Sequence, residues 1–360
     1  MSKVYFTDMR TSFTENLPKK LTRLIDRAGL GTIDFDHKFV AIKIHFGEMG
    51  NLAYLRPQYA RALAAYIKER GGLPFLTDCN TLYVGSRKNA LEHIETAYIN
   101  GYTPYATGCQ VIIADGVRGT DEAYIPIGCE EVKTAKIGRA IADADIIISL
   151  NHFKGHEDAG FGGALKNLGM GSGSRAGKME MHYDGKPVVD RDRCRGCRKC
   201  ATICANDGIH YENNKAVIDH DNCVGCGRCI GAIKPHNSSS AASLNRRIAE
   251  YAYAVVKDKP NFHISIAADI SPNCDCHPEN DAPIVPNIGM FASFDPVAID
   301  LAAADAVNAM PANPRSALSE AECRCHDHFI NVHPNTNWRV QIEHGEEIGL
   351  GSSEYELIRI

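Results

Sequence analysis

Three features are missing from this 360-residue sequence, and each absence removes a class of function. No apolar run reaches about 18 residues, so no membrane-spanning helix is expected. No long basic run occurs, and the formal charge is −5 with the histidines neutral, which argues against nucleic acid as a main partner. The first residues, MSKVYFTDMR, lack the apolar core of a signal peptide. The expected location is therefore the cytoplasm.

A fourth absence is local. The run Cys223, Cys226, Cys229 follows the spacing C-x2-C-x2-C-x3-C-P of a bacterial iron–sulfur site, but Ile233 stands where the fourth cysteine belongs. A complete first copy precedes it: Cys194, Cys197, Cys200 and Cys204, with Ala205 in place of the usual proline. Two such motifs resemble a bacterial two-cluster ferredoxin, in which the fourth cysteine of each motif serves the other cluster. In that resemblance Cys223, Cys226, Cys229 and Cys204 complete one [4Fe–4S] cluster. Cys194, Cys197 and Cys200 then hold a second cluster short of one thiolate. Three outcomes are open for it: a [3Fe–4S] cluster, a [4Fe–4S] cluster completed by Cys274 or Cys276, or an iron left for substrate or water. The bland alternative is that this second cluster never forms. Zinc fits poorly, because its sites take two pairs of ligands rather than triplets.

What the sequence has in quantity is cysteine. Fourteen in a chain expected to sit in a reducing compartment read as metal ligands or thiols rather than disulfides. Seven fall between Cys194 and Cys229, and Cys274/Cys276 and Cys323/Cys325 form C-x-C pairs. C323-R-C325-H326-D-H328 falls in a helical pattern and reads as a secondary thiol pair.

At 44% hydrophobic residues the chain can bury a substantial core. Up to residue 150 it alternates helical and strand patterns. Helices are expected over 18–30, 57–70, 86–100 (capped by Ser86) and 133–143. Strands are expected over 39–46, 73–77, 110–114 and 145–150. After residue 185 a short cysteine-rich stretch interrupts the pattern, with Val188-Val189 and Val217-Ile218 as its expected strands. The pattern resumes with a helix over 243–257, a strand over 262–268 and a helix opened by Asp295-Pro296. This predicts an α/β fold: a mostly parallel sheet with helices on both faces, interrupted by a small ferredoxin-like α+β insert. The expected domains are 1–185 and 237–360, two parts of one α/β domain, with the insert at 186–236.

Ligands of open α/β sheets gather beyond the carboxyl ends of the strands. The expected strand ends are followed here by His45 and Glu48, by Asp78-Cys79-Asn80, by His152, Lys154 and His156, and by Cys274-Asp275-Cys276. His and Cys at this density point to a binding site that can also take a metal ion. Gly160–Gly177 is glycine-dense and ends in Lys178, yet Ser172 and Met179 break the phosphate-loop pattern. A nonstandard anion nest with Lys166 beside it remains open, against a close-packed turn.

NHFKGHEDAGFGGALKNLGMG, the ferredoxin-like insert, CDCHPENDAPIVPNIGMFASFDPVAID and the C-terminal EEIGLGSSEYELI together resemble the bacterial and archaeal family called domain of unknown function 362. The resemblance implies an iron–sulfur protein of anaerobes, distantly similar to the lactate racemase fold, with no settled reaction. No residue match carries over a nickel cofactor. The family's motifs coincide with His152, Lys154, His156, Lys166, Asn167, Cys274, Cys276 and Asp295, although Asp295 reads better as a helix cap.

The function expected on these grounds is a redox enzyme. Clusters would pass electrons from a donor or acceptor protein to a small molecule at the strand ends. Lys154 or Lys166 would hold an anionic group, and His45, His152 or His156 would move protons. Glu48, Asn167 and Cys276 are candidate cofactor-binding residues, and Cys274 a candidate metal ligand. The alternatives are a non-enzymatic electron carrier or metallocofactor-assembly protein, and, more weakly, a metal-dependent hydrolase or racemase with a structural cluster domain.

Overall fold

The computed structural model describes residues 1–82, 85–183, 187–204, 207–223, 229, 241–322 and 325–360. Its frame is an eight-stranded, mostly parallel sheet with helices on both faces. The strand order is Tyr355–Arg359, Ser2–Asp8, Gly289–Ser293, Asn261–Ala267, Ile146–His152, Phe39–Lys43, Leu73–Asp78, Gln110–Ile113. The last five strands pair in parallel, in the manner of βαβ units. Gly289–Ser293 runs antiparallel to both of its neighbours. Sequence patterning missed the three strands of this edge. They lie in segments without a strong apolar run or alternation.

Strand parity decides which face each side chain enters. Val40, Ile42, Ile146, Ile148, Leu150, Phe262 and Ile264 point to one face and build a core with the Leu17–Arg27 and Pro57–Lys68 helices. The opposite parity carries smaller and polar residues: Ala41, Lys43, Ser149, Asn151 and Ser265. The helix Ala164–Ser172 lies over this second face, and the Ala241–Val256 helix packs on it. Asn167 reaches from the first of these helices to the backbone carbonyl of Lys43 at 2.9 Å and to Ser149 Oγ at 3.5 Å.

Several local expectations change. Residues 134–138 form a strand rather than a helix, pairing antiparallel with Glu122–Pro126. Ala135 and Ile137 are buried and Lys136 is not, a period of two that a short window cannot tell from a helical turn. The helix Ala90–Ile99 is capped by Asn89, not Ser86, whose backbone and hydroxyl instead serve Glu48. Asp295 does cap its helix, accepting from the amides of Val297 and Ala298. In the cysteine-rich stretch, Lys215–Ile218 pairs with Ile209–Glu212, and Val188-Val189 forms no strand. Cys226, Ile233 and Cys323 lie outside the described residues. Among the described residues, no helix is long and apolar enough to cross a membrane.

Candidate functional site

Beyond the carboxyl ends of the parallel strands lies a cleft. Four strand ends feed it. Lys43 and Asp78 are the last residues of their strands, Lys154 and His156 follow Ile146–His152, and Cys274 and Cys276 follow Asn261–Ala267. The helix Ala164–Ser172 contributes Lys166 and Asn167.

The cleft floor is an ion-pair network. Lys43 is 1% exposed, and its Nζ lies 3.1 Å from Asp78 Oδ1 and 2.8 Å from Asn167 Oδ1. Burial lowers the pKa of Lys43, and the Asp78 charge works against it. Burial would raise the pKa of Asp78, but the cations around it, Lys43 first, hold it below the usual carboxylate range. Arg87 joins the network, 3.1 Å from Glu48 Oε2 and 3.8 Å from Asp78 Oδ2. Its Nη1 is also 3.0 Å from His45 Nε2. Burial, then the Arg87 charge, push His45 well below the ordinary histidine range, so the ring facing the cleft is neutral. His182 is held neutral by burial first and by Lys166 next, with a pKa of about 3.

The Cys274-Asp275-Cys276 loop is pinned from every side. His152 Nδ1 is 2.9 Å from both carboxylate oxygens of Asp275, and its Nε2 is 2.9 Å from the Ala268 carbonyl. Lys154 Nζ lies 3.5 Å from Asp275 Oδ2. The Glu48 amide donates to the Asp275 carbonyl at 2.8 Å, and His333 Nε2 to the Pro272 carbonyl at 2.7 Å. Gly155 passes so close that a Cβ there would meet Pro272 O at 2.0 Å. His152 therefore has both ring nitrogens engaged and does not line the cleft. Its contacts hold the loop in place.

At the loop itself, one ligand atom each from His156, Cys274 and Cys276 lie within 4.8 Å of one another, close enough to share a metal ion. Cys274 is 1% exposed, and Lys166 Nζ is 3.5 Å from its Sγ. A hydrogen bond from Cys276 pulls the Cys274 thiol well below its ordinary range, with Lys166 and His156 adding to the pull and burial opposing it. The same bond, with burial, pushes Cys276 well above its ordinary range. Cys274 belongs to this cleft and not to the cavity of Cys194, Cys197 and Cys200. The hydrogen bonds to Ala268, Pro272 and Asp275 hold the loop at the strand ends.

The glycine-dense stretch is not an anion nest. Residues 164–172 are helical, and the free amides of the first turn, Ala164 and Leu165, donate to Asp300 at 2.6 and 2.9 Å. Burial pushes Asp300 up to about 7, against those two amides. The glycines give room: a Cβ at Gly171 would meet Lys43 Nζ at 2.3 Å, and one at Gly169 would meet Ile248 O at 2.1 Å.

In the cysteine-rich stretch, Cys194, Cys197 and Cys200 line one cavity together with Tyr211 and Lys215. The Ala216 amide donates to Cys194 Sγ at 3.3 Å, and backbone hydrogen bonds from Ala216 and Gly196 lower the pKa of that thiol. Tyr211 Oη is 3.2 Å from Cys200 Sγ. Three sulfurs around one cavity, with amide donors at sulfur, fit a cluster site. Cys204, Cys223 and Cys229 are half-buried outside that lining.

Of the residues singled out from sequence, His45, Lys154, His156, Lys166, Asn167, Cys274 and Cys276 line the cleft, whereas His152 and Glu48 stand behind it. Sequence reasoning passed over Arg87, and named Lys178 and Asp275 without giving either a role. Asp275 carried a signal, its place between two cysteines; Arg87 carried none.

A family model described as "Domain of unknown function (DUF362)" matches residues 40–305. Among solved structures, the chain is similar to the lactate racemase apoprotein from Thermoanaerobacterium thermosaccharolyticum, at 11% identity and a TM-score of 0.42, covering 75% of this chain and 51% of that one. It is also similar to a protein from Thermotoga maritima, at 12% identity and a TM-score of 0.39, covering 80% of this chain and 56% of that one. The chain thus spans about half the length of these two structures. A search of curated proteins finds no match.

Proposed function

The chain belongs to the DUF362 family, and from that premise we propose that it is an iron–sulfur oxidoreductase whose cysteine-rich insert passes electrons to a small molecule in the strand-end cleft. The observation that carries this reading is where the insert is spliced. It leaves the sheet after the helix Arg175–Tyr183, which lines the cleft through Lys178 and His182. It returns into the helix Ala241–Val256, which lines the same cleft through Leu244 and Ile248. Four residues lie between His182 and Pro187, so five Cα–Cα steps join them and span at most about 18 Å. The insert is therefore tethered at the rim of the cleft.

Cys194, Cys197 and Cys200 would hold one cluster, and Cys204, Cys223, Cys226 and Cys229 the other. Bound there, an iron–sulfur cluster supplies one electron at a time. The rest belongs to this chain's residues. Lys154, Lys166 and Lys178 attract an anionic substrate into a cleft lined by buried charges. Lys43 and Asn167 shape its floor, and neutral His45 and, beside the cysteines, His156 are the candidates to move protons. The electrons would come from, or go to, a separate carrier protein. Arginines 191, 193, 195 and 198 on the insert favour an acidic one.

The test is low-temperature EPR on anaerobically purified protein, as isolated and after dithionite, with iron and sulfide counted. Two reducible clusters correspond to about seven or eight irons per chain. A preparation that stays iron-free after anaerobic reconstitution overturns the reading.

A further inference from the structure

The Cys274/Cys276 pair invites a metal, but the hydrogen bonds at His156 point elsewhere. His156 Nδ1 accepts the backbone amides of Asp158 and Ala159, both at 3.1 Å. A neutral imidazole that accepts at Nδ1 carries its proton on Nε2, which leaves no lone pair there for a metal. A ring nitrogen of His156 lies within 4.8 Å of the Cys274 sulfur. Cys274 thus sits among donors, Lys166 Nζ at 3.5 Å and the His156 ring, with a second thiol beside it. That is the surrounding of a sulfur nucleophile.

The neighbouring charges say what such a nucleophile would meet. Lys154 and Lys178 line the cleft while 6% and 7% exposed. The Lys178 ammonium donates to the Gly173 carbonyl at 2.6 Å, and no carboxylate lies within ion-pair distance of it among the described residues. Buried ammonium groups facing a cleft suit a ligand with carboxylates of its own.

We propose that Cys274 and Cys276 form a redox-active dithiol that reduces a small disulfide carrying carboxylate groups. This rests on the oxidoreductase reading and names its substrate class. The Cys274 sulfur attacks one sulfur of the disulfide. A Cys274–substrate mixed disulfide forms as the substrate's S–S bond breaks, and the leaving thiolate takes up the proton that Cys274 gave up, with the Lys166 ammonium beside it. Cys276 then gives up its proton, attacks the Cys274 sulfur and releases the second thiol. The products are a Cys274–Cys276 disulfide and two substrate thiols, so two electrons have moved from the protein to the substrate. A reductant of the iron–sulfur class returns two electrons, and two protons restore the dithiol. Asp275, clamped by His152 and Lys154, keeps the two cysteines on the cleft throughout and is a positioning residue.

The experiment uses the full-length protein, reduced with dithiothreitol, desalted anaerobically and mixed with dithiodiglycolate as probe. Peptide mass spectrometry should find the peptide with residues 274–276 lighter by two hydrogens, with two thioglycolates released for each such peptide. Cys276→Ser should instead accumulate a thioglycolate adduct on Cys274. The diamine disulfide cystamine should react about tenfold more slowly, as repulsion by the lysines requires. An unmodified peptide, an adduct on Cys276 in Cys274→Ser as fast as the wild-type reaction, or thiols shielded by zinc that only a chelator removes would each overturn the proposal. Iron and EPR on the same sample report on the clusters separately. Inert thiols beside intact cluster signals sink the dithiol alone, whereas reactive thiols without iron sink the electron-delivery reading.

Discussion

His152 Nδ1 lies 2.9 Å from both carboxylate oxygens of Asp275, a residue 123 positions away in the sequence. That single contact ties the end of the Ile146–His152 strand to the loop that carries both cleft cysteines. It turns a histidine with the look of a proton carrier into a structural clamp. Removing it leaves a buried carboxylate with Lys154 as its remaining side-chain partner.

His152→Ala should therefore cost stability first. Breaking a buried, hydrogen-bonded pair costs about 3–5 kcal/mol. Urea unfolding followed by circular dichroism should show a large fall in the midpoint. A variant as stable as wild type, lacking only activity, would restore His152 to the chemistry.

Gly155→Ala tests the same clamp from the backbone. The added Cβ would meet the Pro272 carbonyl oxygen at 2.0 Å, and backbone cannot swing aside as a side chain can. Overpacking of this kind costs about 1–3 kcal/mol. The displaced loop should also change the rate at which iodoacetamide alkylates Cys274. An unchanged rate would mean that the loop does not need this close approach.

Acid should destabilise the fold well above the carboxylate range. Burial holds His93 and His263 at about 3 in the folded chain, against an ordinary value near 6.5. Below pH 6.5 the unfolded chain takes up protons that the folded chain refuses, so stability falls as pH drops from about 6.5 towards 3. Each such histidine contributes a slope of up to about 1.4 kcal/mol per pH unit. Urea midpoints measured across that window should fall less steeply for His263→Gln. Parallel curves would show that the folded chain protonates His263 as readily as the unfolded one.

Asp300 works in the opposite direction. Its folded pKa is about 7, so between pH 4 and 7 the unfolded chain loses a proton that the folded chain keeps. Stability from this residue falls as pH rises through that window. Asp300→Asn, which keeps an oxygen to cap the Ala164–Ser172 helix, should gain on wild type as pH rises from 4 to 7. Differential scanning calorimetry at the two ends of the window reads the difference.

Cys204→Ser separates the two clusters of the proposed electron path. In the ferredoxin-like assignment Cys204 serves the cluster of Cys223, Cys226 and Cys229. EPR should lose that signal and keep the one from Cys194, Cys197 and Cys200. Loss of both signals, or of neither, would refute the crossed ligation.

The α/β alternation was legible because its central strands are apolar runs buried on both faces, and its helices Leu17–Arg27, Pro57–Lys68 and Pro296–Asn308 carry a proline in the first turn. Asp295-Pro296 and the proline at 57 mark helix starts by local chemistry alone. The antiparallel edge was not legible. Ser2–Asp8 and Gly289–Ser293 pair across nearly the whole chain, and nothing local announces such a pairing. The glycine-dense stretch misled in a similar way. Its glycines make room for Lys43, Asp300 and Ile248, which come from three distant segments.

Sequence by itself determined the family, the cysteine spacing and the gathering of histidine, lysine and cysteine at strand ends. Those depend on residue type and short-range period. Tertiary structure alone decided which of these side chains reach the cleft. Strand side chains alternate with a period of two, so Lys43 faces the cleft while its neighbour Ile42 enters the core on the other face. His152 and Lys154 fall in different strands, and Lys154 reaches the cleft while His152 turns to Asp275. Which parity faces the ligand depends on where the helices pack, and helix packing is a property of the whole sheet.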